Sequence, residues 1–286
     1  MRVTLDVFSG RPNPSWDLSS WHARELQARL SEKRVPPVHL ERPMLGFRGL
    51  IVTAQHDEAG RRGLPVTFRL GAPVSAQTTA GAMTASAEPE TRPVAQWLLR
   101  SAAPWVHPLL LAYAATQLQA RSSLGPASAP EAALRAGPKI TACLQSSPYN
   151  PEFWDDPGVQ PFNNCYNFAT NFRSDTTAQP GRLSGAQYSD FSCWNVGMAA
   201  SFDGVGTACQ FPSNFVALVI WPGVDFHWYR LQAEGFWAHK IGHGQVTNLD
   251  SGGQVIQGDW TPENCGRGPY TLFCGYRYAP AGMRVM

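Results

Sequence analysis

Hydrophobic and polar residues alternate near the start of the chain, and helical spacing follows. Val3–Phe8 alternate apolar and polar side chains, which predicts a short strand. Ser19 and Ser20 are good helix caps, and the spacing after them predicts a helix over Trp21–Glu32. Two more strand-like runs precede a helical pattern that is kinked or split by prolines, at Gly49–Ala54, Pro65–Leu70 and Pro93–Gln119.

The second half of the chain has a different pattern. Residues 122–138 are rich in Ala, Ser, Pro and Gly, which predicts a linker between an N-terminal α+β module, residues 1–121, and a C-terminal domain, residues 139–286. Helix candidates come first in that domain and strands follow. Phe215–Trp221 is a continuous apolar run, typical of a strand buried on both faces. This order predicts the α+β class.

Composition and charge exclude several functions. The 286 residues carry a net charge of only +2, so we expect no nucleic acid partner. The most apolar run, Val106–Ala115, is shorter than the about 20 residues of a membrane span. The first residues lack the basic and apolar regions of a signal peptide, and the six cysteines form no CxxC pair. The default expectation is therefore a reducing, cytoplasmic location, with leaderless export left open.

A cysteine stands where a helix is expected to begin. Asn164 is a good N-cap, so Cys165 takes the first helical position. One apolar stripe holds residues at helical spacing, namely Cys165, Phe168, Ala169 and Phe172. The positive end of the helix dipole is expected to lower the thiol pKa. The Cys165 backbone N–H and Asn164 are the candidate donors to an oxyanion.

Two histidines lie on a predicted hairpin downstream. Ala233–Gly235 fits a three-residue loop with glycine in the left-handed region, which pairs Gln232 with Phe236. That pairing places His227 and His239 on one face. The same face takes Tyr229, Leu231, Trp237 and Ile241, and the more polar opposite face takes Trp228, Arg230, Gln232 and Lys240. We expect both histidines to point towards the interior, against the cysteine helix.

A helix-start cysteine, a strand histidine and a second polar group are the parts of an activated thiol nucleophile. From Pro161 to Asp250 the chain resembles the NlpC-type cysteine peptidases and amidases of the papain-like superfamily, which mostly cleave peptidoglycan stem peptides. Asn-Cys-Tyr-Asn stands here in place of that family's usual Asp-Cys-Ser-Gly. The resemblance implies a papain-like domain whose cysteine helix packs on an antiparallel sheet. It also implies Cys165 as nucleophile, His227 as base and His239 as orienting group.

The predicted function is thiol-dependent hydrolysis of an amide bond, on a peptide or peptidoglycan-like substrate and without metal or organic cofactor. Deamidation and acyl transfer remain open as variants of the same chemistry. The aromatic residues nearest the predicted site are the candidates for substrate contact, namely Tyr166, Trp228 and Trp237.

Several alternatives remain open from the residues alone. Asn248 or Asp250 can replace His239 as the orienting group. A rival class is a non-enzymatic binding protein that uses an aromatic groove or a zinc site of Cys165, His227, His239 and His243. The other cysteines are expected to be structural, with 193–209 and 265–274 as candidate pairs. Ser9–Trp16 is either a rigid turn or a loop that presents Arg11 and Trp16 to a ligand.

Overall fold

A computed structural model of the protein describes residues 1–31, 33, 35, 44–54, 64–72, 88–119 and 147–286. The chain divides into two compact units. Unit 1 is Met1–Val7, Asn13–Arg42 and Phe47–Ser128, and unit 2 is Phe8–Pro12, Pro43–Gly46 and Ala129–Met286. Each unit combines helices with an antiparallel sheet, so the mixed α+β class is confirmed. The predicted linker, residues 122–138, lies outside the described residues.

Unit 1 contains a four-stranded sheet of order β2-β1-β3-β4. Its strands are β1 (Arg2–Asp6), β2 (Ser15–Asp17), β3 (Gly49–Thr53) and β4 (Thr67–Leu70), and its helices are α1 (Ser20–Leu30), α2 (Glu88–Arg100) and α3 (Pro108–Gln119). Ser19 caps α1 as predicted, because its side chain accepts a hydrogen bond from the His22 N–H. The predicted split near Pro104 and Pro108 is confirmed, although α2 begins ahead of Pro93.

A buried ion triad joins the strands of unit 1. The carboxylate of Asp6 accepts hydrogen bonds from Arg48 Nη2 and Arg69 Nη1, each at a distance of 2.6 Å. All three side chains are at least nine-tenths buried. Burial acts to raise the pKa of Asp6, but the two guanidinium groups outweigh it and hold the pKa well below its usual range. Removing the carboxylate would leave two buried cations without their counter-ion.

We expect Asp6→Ala to lower the free energy of unfolding at pH 7 by about 3 to 5 kcal/mol. Because the folded pKa of Asp6 is depressed, its stabilisation is complete above the ordinary value of 3.8 and is lost as the pH falls towards the folded pKa. Calorimetry between pH 7 and pH 2 should therefore show the gap between wild type and variant closing in acid. Asp17→Ala is the control, since it removes an exposed pair with Arg2, and an equal loss in both variants would contradict the account.

Unit 2 contains a five-stranded antiparallel sheet of order β8-β7-β6-β5-β9. Its strands are β5 (Ser213–Trp221), β6 (Asp225–Leu231), β7 (Trp237–Lys240), β8 (Val246–Thr247) and β9 (Leu272–Pro280). Its helices are α4 (Pro151–Asp155), α5 (Cys165–Thr170) and α6 (Cys193–Phe202), with a 3₁₀ turn at Gln160–Phe162. The prediction of a strand buried on both faces is confirmed by β5, which lies between β6 and β9. Helix α5 packs against β6.

The cysteines pair differently from the sequence expectation. Cys193, the first residue of α6, is bonded to Cys274 on β9. The candidate pairs 193–209 and 265–274 are therefore wrong, because the packing of α6 on β9 joins cysteines that are 81 residues apart. Cys209 is also disulfide-bonded, whereas Cys165 and Cys265 are free and buried.

The Cys193–Cys274 bond closes a long loop, so its loss is expected to release much chain entropy on unfolding. We expect the double variant Cys193→Ser, Cys274→Ser to lose about 2 to 5 kcal/mol of stability. Urea unfolding under non-reducing conditions measures this without disturbing the bond of Cys209. An unchanged urea midpoint would contradict the assignment of this pair.

Candidate active site

Cys165 opens helix α5 as predicted. The Asn164 side-chain oxygen accepts the N–H groups of Tyr166 and Asn167, and Asn167 Oδ1 accepts the Asn164 N–H in return. This reciprocal capping fixes the first turn without a charged residue. The thiol of Cys165 is thus held at the start of the helix, where it is fully buried.

The histidine hairpin has the predicted turn and pairing. Gly235 has a φ of +88°, in the left-handed region, and the Gln232 N–H donates to the Phe236 carbonyl at 2.9 Å. Arg230 pairs with Ala238 in the ladder. His227 on β6 and His239 on β7 meet side by side, with 2.7 Å between His227 Nε2 and His239 Nδ1.

The prediction that the cysteine helix packs on the face of the sheet that holds the two histidines is wrong. Helix α5 packs on the other face of β6, where Cys165, Tyr166 and Trp228 share one hydrophobic cluster. The aromatic and aliphatic companions of the histidines form a separate cluster, which includes Tyr229. Both faces of β6 are fully covered, so the face expected to be more polar is buried as well.

The hydroxyl of Ser9 connects the thiol to the histidines. Ser9 Oγ lies 2.6 Å from His227 Nδ1, and the Ser9 hydroxyl is near enough to the Cys165 thiol to act on its pKa. His239 Nε2 in turn lies 2.9 Å from the Leu249 carbonyl oxygen. A hydrogen-bonded relay therefore runs through Ser9, His227, His239 and the Leu249 carbonyl, and the Cys165 thiol lies near its Ser9 end.

The Leu249 carbonyl determines which ring nitrogens carry hydrogen. A carbonyl only accepts, so His239 Nε2 donates to it and Nδ1 of the neutral ring must accept. His227 Nε2 then donates to His239, which leaves His227 Nδ1 as the acceptor of the Ser9 hydroxyl proton. Burial lowers the pKa of His239 to about 4, which keeps that ring neutral at pH 7. The atom of His227 that faces the Ser9 hydroxyl is therefore its basic nitrogen.

Ser9 belongs to a short segment, Phe8–Pro12, that we call the strap. Asp225 holds its backbone, because the carboxylate accepts the N–H groups of Ser9, Gly10 and Arg11 at 2.7, 3.1 and 3.2 Å. The Tyr270 hydroxyl also donates to Asp225, at 2.6 Å. Burial raises the pKa of Asp225, and these hydrogen bonds act against that shift. The strap is thus fixed over the thiol by backbone contacts.

Two amide side chains converge on the carbonyl oxygen of Gly10. Asn164 Nδ2 and Gln179 Nε2 donate to it at 2.5 and 2.8 Å. The Tyr188 hydroxyl donates to Gln179 Oε1 at 2.6 Å, which turns the amide nitrogen of Gln179 towards Gly10. The predicted oxyanion donor Asn164 therefore binds a carbonyl oxygen next to the thiol, together with a partner that the sequence did not indicate.

The thiol is not activated in this arrangement. We expected the helix start to lower its pKa, but burial raises the pKa of Cys165 far above its usual value, and the nearby Asp225 charge adds to the rise. Interactions with the Trp228 backbone and with Ser9 oppose the shift and are outweighed. The thiol is consequently protonated while the strap is in place.

Other predicted site residues have structural roles here. The candidate substrate contacts Tyr166, Trp228 and Trp237 are core residues, so they line no open groove. Asp250 accepts the Trp260 Nε1–H and the Gly266 N–H, and it is the backbone of Leu249, between Asn248 and Asp250, that contacts His239.

The predicted zinc ligands do not gather as a metal site. In the described part of the chain no three His, Cys, Asp or Glu side chains are arranged to hold a metal ion. The His227 and His239 rings use all four of their nitrogens in the relay.

Four residues of the site escaped the sequence reasoning, namely Ser9, Gln179, Asp225 and Tyr270. The stretch Ser9–Trp16 is distinctive in sequence, but its two ends belong to different units. The strap belongs to unit 2, whereas Trp16 belongs to unit 1 and donates from Nε1 to Ser101 Oγ at 3.1 Å. The one available signal for Asp225 is its position two residues before His227 on the same strand.

Comparison with known proteins gives one informative relative. No family model and no solved structure matches the chain. No helix within the described ranges is long and apolar enough to cross a membrane. Insoluble matrix shell protein 1 of Ruditapes philippinarum is 40% identical over 139 residues, which cover 46% of this chain and 88% of that protein. The chain therefore belongs to the same family as this shell matrix protein.

Proposed function

We propose that unit 2 is a papain-like, thiol-dependent hydrolase of amide bonds, in which Cys165 is the nucleophile, His227 the base and His239 the positioning residue. The observation that carries the proposal is the direction of the relay. The Leu249 carbonyl and His239 together leave the basic nitrogen of His227 facing the Ser9 hydroxyl, near which the Cys165 thiol lies. A third group that fixes the tautomer of a base is the arrangement that thiol and hydroxyl nucleophiles require.

The reaction uses these groups in sequence. Once Ser9 has moved away, His227 Nδ1 takes the proton of Cys165, and the sulfur bonds to the substrate carbonyl carbon. The Asn164 and Gln179 amides and the Cys165 backbone N–H stabilise the oxyanion. The carbon–nitrogen bond then breaks, and the departing amine takes the proton from His227. Water attacks the thioester and gives one proton to His227, which returns it to the thiolate as the acid leaves.

The structure describes a closed state of this site. Cys165, Ser9 and His227 have no exposed surface, so no substrate reaches the thiol while the strap is bound. Hydrolysis therefore requires release of the strap, and the closed protein is expected to be nearly inactive.

The substrate class and the compartment follow from separate observations. A segment of the chain's own backbone lies at the site, which supports a peptide as substrate, and the resemblance favours peptidoglycan-type peptides. The disulfide Cys193–Cys274 favours an oxidising compartment over the cytoplasmic default, since such bonds persist outside the reducing cytosol.

The test is peptide hydrolysis by a protein whose strap has been released, as described below. New amino termini in a mixture of peptides, detected by mass spectrometry, would support the proposal if Cys165→Ala abolishes them. Equal hydrolysis by Cys165→Ala would assign the activity to a contaminant, and no hydrolysis with a reactive Cys165 would reject the enzyme.

A second candidate is a non-catalytic matrix component. The name of the shell protein relative and the complete burial of the thiol favour it. In that case the relay is a buried hydrogen-bond network that fixes the strap. This candidate predicts that Cys165 stays unreactive towards thiol reagents when the strap is altered. It also predicts that the Cys165→Ala variant enters insoluble assemblies as readily as the wild-type protein does.

A further inference from the structure

The strap is bound chiefly through groups that every peptide carries. Three consecutive N–H groups of the strap donate hydrogen bonds to the Asp225 carboxylate, and the Gly10 carbonyl accepts hydrogen bonds from the Asn164 and Gln179 side chains. Because these are main-chain contacts, a separate peptide of suitable sequence can make the same set. The contacts therefore define a peptide seat beside the Cys165 thiol.

The seat admits glycine at its centre. A Cβ atom at Gly10 would lie 2.5 Å from Phe226 Cε2 and 2.5 Å from the Phe226 backbone oxygen. The backbone oxygen belongs to β6 and has no freedom to withdraw, so any larger residue is excluded. The seat thus selects glycine by its shape.

The next position suits a cation. The Arg11 guanidinium carbon lies 4.4 Å from the Phe8 ring centroid and 5.1 Å from that of Phe191. Arg11 Nη1 donates to the Val224 carbonyl at 3.1 Å. Arg11 is half-buried and Pro12 is exposed, so the seat opens to the surface within two residues of Gly10.

We propose that the strap occupies the substrate's seat and that the substrate is a peptide with glycine followed by a cationic residue. This inference rests on the proposed function, because it assigns the seat to the substrate of Cys165. The Ser9 hydroxyl lies near the thiol and contacts His227. The strap is therefore an intramolecular competitor of the substrate.

Release of the strap is tested with Gly10→Val, which cannot enter the seat. We expect carbamidomethylation of Cys165 by iodoacetamide, mapped by peptide mass spectrometry, to accelerate at least about tenfold over wild type. Cys265, the other buried free thiol, is the internal reference. Gly206→Ala is the matched control, because a Cβ there comes no nearer than 3.3 Å to its neighbours. Unchanged labelling of Cys165 would overturn the inference.

A milder variant covers the case in which Gly10→Val fails to fold. Arg11→Ala removes the cation contacts and leaves the strap backbone intact, and it should raise labelling of Cys165 by a smaller factor. Arg173→Ala is its control, since Arg173 makes a similar cation contact with Phe153 outside the strap. Equal labelling in the two variants would overturn the inference.

Occupation of the seat is tested by adding a peptide to Gly10→Val protein. The peptide Phe-Ser-Gly-Arg-Pro should slow labelling of Cys165, whereas peptides with alanine for glycine or glutamate for arginine should not. Equal protection by all three would overturn the inference. If the peptide protects Cys165 but is not hydrolysed, the proposed hydrolase is rejected and only the peptide-binding seat is supported. If peptides are hydrolysed without a preference for glycine, the substrate class is rejected and the proposed hydrolase is still supported.

Discussion

Replacing His227 with alanine in the Gly10→Val protein is expected to lower kcat for peptide hydrolysis by about 10³-fold or more. A positioned base contributes about 10² to 10⁴ in rate by moving the proton in the transition state. His227 in addition generates the thiolate, because a cysteine thiol without an adjacent base is mostly protonated at pH 7. The measurement is hydrolysis of a fluorogenic peptide that contains Gly-Arg, at pH 7.

The control for this variant is His107→Ala, which removes an exposed histidine of unit 1 and should leave kcat unchanged. Labelling of Cys165 by iodoacetamide should fall together with kcat in His227→Ala, since both need the thiolate. Hydrolysis that survives in His227→Ala would show that the relay is structural.

The positioning role of His239 predicts a large effect from a residue that never touches the substrate. His239→Leu removes the acceptor of the His227 Nε2–H and leaves that donor buried and unpaired. The His227 ring then has no partner to fix its tautomer, and we expect kcat to fall by about 10² to 10⁴. KM should change little, because the peptide seat is intact.

A conservative replacement separates positioning from packing. His239→Gln supplies an amide oxygen that can accept a hydrogen bond from His227 Nε2. Its kcat should therefore be at least about tenfold higher than that of His239→Leu. The readout that a purely structural role would not move is the pH profile of kcat, whose basic limb should shift in His239→Leu and return in His239→Gln. Identical profiles and equal kcat in both variants would contradict the positioning role.

The sequence predicts local parts of this site well. The Asn164 cap and the Ala233–Gly235 turn depend on residues within a few positions of each other, where capping and turn chemistry act. The pairing of Gln232 with Phe236 then determines that His227 and His239 meet. Each of these features was predictable because its physical cause is local.

The parts that were wrong depend on distant partners. The even-numbered face of β6 and β7 looked polar, but Arg230 donates to the Phe168 carbonyl and Lys240 donates to three backbone carbonyls, which lets both be buried. Such partners carry no local pattern. The covering helix α5 therefore lies on a face that alternation alone assigns to solvent.

The strap was the least predictable element. Ser9 and His227 are 218 positions apart, and no periodicity relates them. The raised pKa of Cys165 has the same origin, because the helix start favours a thiolate while burial under the strap opposes it more strongly. The sequence indicates which groups are candidates for the chemistry, and the long-range packing determines that they are covered.

The central claim is that releasing the strap allows Cys165 to attack a peptide carbonyl. The most direct measurement is intact-protein mass spectrometry of Gly10→Val protein, quenched in acid within seconds of mixing with a Phe-Ser-Gly peptide whose C-terminal glycine is activated as an ester. The account predicts an acyl adduct on Cys165 that hydroxylamine removes, and its absence in wild type and in Cys165→Ala. An acyl adduct of equal yield in wild type, or a Cys165 that iodoacetamide labels but the ester leaves free, would contradict it.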